Sequence, residues 1–172
     1  MGYCKIINDK LGCSYILYAE AITIKRIIYT SDASPSFNEK YLPQLVESCQ
    51  KQNTELGVSG ILLYGTGKFL QVLEGDETEI DNIFIRILKD ERHQNIIVIE
   101  ENTIKKKDFE NWSMGFSLFN SNELNESLSS IETAELSEKA LSTFRVSDSA
   151  ISNNIKDILY GFRDSLLSQN YH

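Results

Sequence analysis

Two runs of apolar and β-branched side chains, residues 58–64 and 68–73, are separated only by Gly65-Thr66-Gly67. A link this short between strand-like runs predicts a compact β-hairpin. Its surroundings extend the pattern. Residues 24–30, Ile24-Lys25-Arg26-Ile27-Ile28-Tyr29-Thr30, read as a strand, and the Ser-, Asp- and Pro-containing stretch 31–38 reads as a loop. Leu42, Leu45, Val46 and Cys49 then recur at helical spacing. Pro43 lacks an N–H and so predicts a helix start nearby, while Gly57 closes the connection to the hairpin.

After the hairpin, Asp76 with Glu79 three residues on makes a capping-box-like helix start. Ile80, Ile83, Phe84, Ile87 and Leu88 follow it as a buried stripe. Beyond the polar stretch 89–94, residues 96–99 predict a fourth strand. In 111–118, Trp112, Met114, Phe116 and Leu118 alternate with Asn111, Ser113, Gly115 and Ser117, which predicts a fifth strand with two distinct faces. The order β-α-β-β-α-β-β predicts an α+β, ferredoxin-like sheet with two helices on one face.

Past Asn120 the composition shifts to Ser, Glu and Asn, with helical spacing at Leu124, Leu128 and Ile131. A last helix carries Ile151, Ile155, Ile158, Leu159, Phe162 and Leu166. These tail helices hold too few apolar residues for a second core and are expected to cover the sheet's other face or to meet a partner. The expected divisions are 1–23 as an N-terminal extension, 24–119 as the folded domain and 120–172 as a C-terminal helical extension. In the first segment, Leu11-Gly12-Cys13 and Ala19-Glu20-Ala21 echo processing sites. Asn8, Asp9 and Lys10 interrupt the apolar region such sites require, so an extension or an extra strand is expected there.

A length of 172 residues suits one domain with a short appendage. The net charge of −8 argues against nucleic acid or an anionic membrane as the main partner, and Lys105-Lys106-Lys107 reads as a solvated turn. Three scattered cysteines, Cys4, Cys13 and Cys49, suit a reducing cytoplasm and form no CxxC pair. With His93 and His172 as the only histidines, a multi-histidine metal site within one chain is excluded. There is no run of about 20 apolar residues, so no membrane-spanning segment is expected.

Four positions break the core pattern. Gln71 sits mid-strand between Leu70 and Val72, and burying its amide unpaired costs roughly 1–3 kcal/mol. Tyr29 lies near the end of the first strand, and Trp112 and Met114 lie on the fifth. Spacing alone leaves two readings open: a structural hydrogen-bond network within the core, or a ligand site. Arg86 and Asp90, four apart and expected on one helix face, are likewise an exposed pair or a polar clamp beside a ligand. Nothing resembles a phosphate loop, a carboxylate pair for hydrolysis, or a nucleophile with its base.

Several stretches together resemble BLUF domains, the blue-light sensors that use FAD. They are Ile27-Ile28-Tyr29-Thr30-Ser31, Gly57-Val58-Ser59-Gly60-Ile61-Leu62-Leu63-Tyr64, Phe69-Leu70-Gln71-Val72-Leu73-Glu74-Gly75, Asp90-Glu91-Arg92-His93 and Trp112-Ser113-Met114, spread over 24–119 in the right order. The resemblance implies that Tyr29 gives an electron and a proton to photoexcited flavin, and that Gln71 bridges this tyrosine and the ring. It matches Asn53 to the asparagine at the ring's carbonyl edge, Arg86 and Asp90 to polar flavin contacts, and Arg92 and His93 to the rest of FAD. Leu45 and Ile87 should sandwich the ring, and Trp112 and Met114 should pass the signal outward. Gln52 stands where many members have Asn, and Cys49 where many have a small hydroxyl residue.

The favoured expectation is a non-enzymatic cytoplasmic photoreceptor that binds FAD noncovalently. Residues 120–172 are too few for a cyclase or phosphodiesterase domain, so output is expected through a downstream signalling protein, with a homo-oligomer as the expected state. The alternative is a ferredoxin-like ligand-binding or enzymatic module in which Gln71 and Tyr29 are merely structural.

Overall fold

The computed structural model describes residues 4–8, 14–18, 23–119 and 151–168. Strands β1 (Cys4–Asn8) and β2 (Ser14–Tyr18) pair antiparallel as a hairpin, so the extra-strand expectation for the N-terminal segment holds. The main body follows as β3 (Ile24–Ala33), α1 (Leu42–Glu55), β4 (Ser59–Gly65), β5 (Lys68–Asp76), α2 (Glu77–Leu88), β6 (His93–Ile104) and β7 (Gly115–Phe119). A helix α3 (Asn153–Ser168) closes the described chain. The expected α+β architecture is present. The sheet runs β6-β3-β5-β4-β7, with β7 parallel to β4 and the other neighbours antiparallel.

Alternation along the strands splits the molecule into two cores. Ile27, Tyr29, Leu62, Tyr64, Phe69 and Leu73 point to one face, where Leu42, Leu45 and Val46 of α1 and Ile80 and Ile83 of α2 pack on them. Ile28, Ile61, Leu63, Leu70 and Val72 point to the other. There Phe109, Ile151 and α3's Ile155 and Leu159 cover them, so the tail helix covers the sheet's second face as expected. The β4–β5 hairpin turns through Thr66 and Gly67, both at positive φ (46° and 74°). Gly60 admits no side chain, because a Cβ there would stand 1.9 Å from the Val72 carbonyl oxygen.

Helix α1 has its proline at the first turn. Helix α2 starts as expected, with the Asp76 carboxylate accepting from the Thr78 N–H at 2.9 Å. Four expectations need correction. Strand β3 runs on through Ala33 instead of giving way to a loop at Ser31, because residues 32 and 33 still pair with β6. Strand β6 spans His93–Ile104 rather than 96–99; its polar half, Glu100 to Thr103, lies at the sheet edge and is held by β3's backbone. Leu88 is 55% exposed and lies off the buried stripe, at the last residue of α2. Residues 111–114 are not strand, so the fifth strand begins only at Gly115. Leu124, Leu128 and Ile131 lie outside the described residues.

Candidate functional site

Tyr29 on β3 and Gln71 on β5 are direct cross-strand partners on the helix-covered face. Both are buried, and the Tyr29 hydroxyl donates to Gln71 Oε1. The other end of the amide, Nε2, donates to Met114 Sδ at 3.6 Å. The buried amide is therefore engaged at both ends, as the cost of an unpaired one requires. Burial pushes the Tyr29 phenol far above its ordinary range, with further pushes from Cys49 and Asp90, so the hydroxyl keeps its proton. Phe84 and His93 flank its ring, with centroids 5.5 and 6.5 Å away.

Trp112 and Met114 do not share a face. Met114 is buried in the core beneath the helices, while Trp112 packs half-buried against the other core, its ring 5.9 Å from that of Phe109. The alternation read in the sequence presumes an extended chain. Here the backbone turns: the Trp112 N–H bonds to the Phe109 carbonyl at 2.9 Å, and the Gly60 N–H to the Trp112 carbonyl at 3.0 Å. Gly115 leaves room for the indole, since a Cβ there would lie 2.6 Å from Trp112 Cε3.

Helix α1 fixes that turn. Buried Asn53 donates from Nδ2 to the Ser113 carbonyl at 2.7 Å, and Gln50 donates from Nε2 to the Met114 carbonyl at 3.0 Å. Gln50 was missed from sequence. Its one signal is a position three residues before Asn53, hence the same helix face. Leu45 is buried on the same helix, and Cys49 and Gln52 are half-buried. Burial raises the Cys49 thiol above its usual range; Arg92 pulls it down and Asp90 pushes it up. This thiol is therefore held in its protonated, less reactive form.

The Arg86–Asp90 pairing is not formed. Helix α2 ends at Leu88, so the four-residue register fails before Asp90 is reached. Exposed Arg86 instead donates to the Asn82 carbonyl one turn back at 3.2 Å. Asp90 binds Arg92, which reaches its two carboxylate oxygens from Nε and NH2 at 2.8 and 2.5 Å. Burial works to raise the Asp90 carboxyl, but the Arg92 bonds and charge overcome it and hold it below the usual range. His93 shares a 2.8 Å hydrogen bond between Nδ1 and Ser31 Oγ, and burial lowers its pKa.

A pocket of ≈ 420 Å³ runs beside α1, lined by Phe37, Asn38, Tyr41, Leu45 and Arg92 among others. Leu45 and the half-buried Ile87 of α2 belong to the same inner core. The amides of Asn53 and Gln71 carry donors and acceptors of the kind that the carbonyl and imide edge of a flavin would pair with, while the Arg92 guanidinium is taken up by Asp90. This donor set fits FAD.

A family profile described as "BLUF: Sensors of blue-light using FAD" matches residues 24–115, which include every expected site residue from Tyr29 to Met114. Photoactivated adenylate cyclase subunit beta of Euglena longa is 31% identical over 97 residues, 55% of this chain and 11% of that protein. Subunit alpha of Euglena gracilis is 31% identical over 93 residues, 53% of this chain and 9% of that one. The chain thus spans about a tenth of these relatives' length. Among solved structures, BlrB, a BLUF protein in its dark state, superposes with a TM-score of 0.53 at 26% identity, covering 70% of this chain and 96% of BlrB. Photo-activated BlsA gives a TM-score of 0.55 at 26% identity, covering 84% of this chain and 94% of BlsA. A ferredoxin-like module for some other ligand is not favoured by these matches. The chain belongs to the BLUF family, sensors of blue light using FAD.

Proposed function

We propose that this chain is a non-enzymatic light switch in which residues 24–119 hold FAD between α1 and α2 and residues 120–172 relay its state to a partner protein. The observation that carries this reading is the buried chain Tyr29–Gln71–Met114, in which one amide links a phenol to a thioether. Leu45 and Ile87 take the two faces of the ring, Asn53 its carbonyl edge, and Asp90, Arg92 and His93 the remainder of the cofactor. Cys49 and Gln52 line the α1 side. Exposed Arg86 reaches the cofactor only by leaving its bond to Asn82.

Bound FAD supplies blue-light absorption and a ring that accepts an electron and a proton when excited. The protein's part is to position and to re-bond. Tyr29 holds a proton at its hydroxyl against Gln71 Oε1, in a core that excludes competing water. Gln71 has one donating and one accepting end, and rotation or tautomerisation exchanges them. That exchange gives up the Nε2–Met114 bond and alters the packing around Met114, which makes two states of one element. The photoactive set is therefore Tyr29, Gln71, Met114 and, through its turn, Trp112.

The curated relatives are named as adenylate cyclase subunits and match over only a small part of their length, which supports a sensor that acts on an output element. For this chain we take that element to be a separate signalling protein, with a homo-oligomer as the working assembly. The test is direct. The purified full chain should be yellow, release FAD on denaturation as identified by chromatography, and show a red shift under blue light that reverts in darkness. A colourless folded protein that takes up no added FAD overturns the reading.

A further inference from the structure

On the face opposite Tyr29 and Gln71, the same two strands carry a second cross-strand pair. Arg26 faces Glu74 in register, three residues from Tyr29 and Gln71 on their respective strands. An odd offset puts the pairs on opposite faces. Arg26 donates from Nε to Glu74 Oε1 at 2.7 Å and from NH2 to Asp108 Oδ2 at 2.5 Å. Glu74 is fully buried, and its second oxygen accepts from the Phe109 N–H at 3.0 Å. Asp108 then reaches the tail: it accepts from the Ser152 N–H at 3.2 Å and from Ser152 Oγ at 2.9 Å, one residue before α3.

The segment 108–114 connects this cluster to the site. At one end, Asp108 and Phe109 are bonded to Arg26, Glu74 and Ser152. At the other, Ser113 and Met114 are bonded to Asn53, Gln50 and Gln71. Between them, the Trp112 N–H closes on Phe109. A seven-residue span fixed at both ends transmits a shift at Met114 to Asp108 without needing a longer path. Asp108 is the polar joint between the sheet's buried ion pair and the tail helix. Removing it leaves Arg26 and Glu74 still paired one to one, so the joint can open without stranding a charge.

We infer that Asp108 is a latch: in the dark it fastens the start of α3 to the sheet, and rearrangement at Gln71 and Met114 loosens it. The latch rests on the photoswitch reading above and supplies its route to the tail. Opening it uncovers the apolar face of Ile28, Ile61, Leu63, Leu70 and Val72 that α3 covers.

The test is amide hydrogen exchange over 153–168 in the FAD-loaded full chain, dark and under blue light, for wild type, Asp108→Ala, Ser152→Ala and Asn154→Ala. Asp108→Ala should keep the full red shift, yet exchange in the dark at least about tenfold faster in α3, since both bonds to Ser152 are lost and one charge-assisted hydrogen bond alone is on that scale. Light should then add little. Ser152→Ala, which keeps its N–H, should fall between this and wild type, and decides the matter alone if Asp108→Ala does not fold. Asn154 donates to Glu100 at 2.7 Å outside the latch, so Asn154→Ala should preserve the light-dependent difference. The latch is overturned if Asp108→Ala and Ser152→Ala retain wild-type dark exchange and light response. It is overturned equally if Asn154→Ala abolishes the light difference as they do, since any weakened docking would then suffice. Wild type that red-shifts with unchanged exchange in α3 removes the latch alone; wild type with no red shift removes the photoswitch and the latch together.

Discussion

The amide of Gln71 donates to the thioether of Met114 across 3.6 Å within the buried core. Sulfur is a poor acceptor, so this end of the amide is the easier one to release. The Tyr29 end is bonded by a phenol held firmly protonated.

Met114→Ala should therefore separate colour from output. Met114 is 3% exposed, and its truncation should cost about 2–5 kcal/mol, read from the urea midpoint. Tyr29 and Gln71 remain, so the reversible red shift should persist. The light-dependent exchange in α3 should be lost. A variant that retains both at full size would remove Met114 from the signal path.

Arg26→Ala should be strongly destabilising, because Arg26 is buried beside Glu74. It leaves Glu74, which has no exposed surface, with the Phe109 N–H but without its cation. Breaking such a pair costs about 3–5 kcal/mol. Burial already raises the Glu74 carboxyl above its ordinary 4.5, against the pull of the Phe109 N–H and Arg26. A raised folded value means the associated stability is present below the unfolded pKa and is lost as pH rises through the folded one. The Arg26→Ala deficit should accordingly shrink as pH is lowered, and adding Glu74→Gln should recover part of it at neutral pH. Denaturant melts of the single and double variants across pH check both points. A deficit that is independent of pH would contradict this account.

His93 sets an acid limit on stability. Burial lowers its pKa from 6.5, while Asp90 pulls it up and Arg92 pushes it down. A depressed folded value means the unfolded chain binds the proton more readily. Stability is then complete above about 6.5 and falls as pH drops through the folded pKa. The thermal midpoint should decline as pH falls below about 6.5, and His93→Gln should flatten that slope. Parallel slopes for the two proteins would place the effect on other groups.

The fold was legible where its determinants are local. Asp76 caps α2 because a cap needs only the next two residues, and Ile80 and Ile83 are buried because helical spacing alone aligns them. Leu88 continues the same spacing but sits where the helix ends, so periodicity overreached. The extent of β6 depends on backbone pairing with β3, some 70 residues earlier, and its polar side chains carry no trace of it. Trp112 and Met114 alternate in sequence, yet Gln50 and Asn53 bend the chain between the two cores. At the site, Gln71 stood out as an amide among apolar neighbours, whereas the roles given to Asn53, Arg92 and His93 came from family resemblance. The cluster of Arg26, Glu74 and Asp108 was invisible, because separations of 48 and 82 residues leave no local pattern.

The central claim is that the Gln71 amide is the switching element. Gln71→Leu preserves approximate size and removes donor and acceptor together, so no half-satisfied amide remains. Tyr29 loses its acceptor but stays in place. The measurement is the light-minus-dark absorption spectrum of the FAD-loaded variant under blue light. The account predicts bound FAD with the reversible red shift abolished. A Gln71→Leu protein that binds FAD and still shows a full, reversible red shift would contradict it.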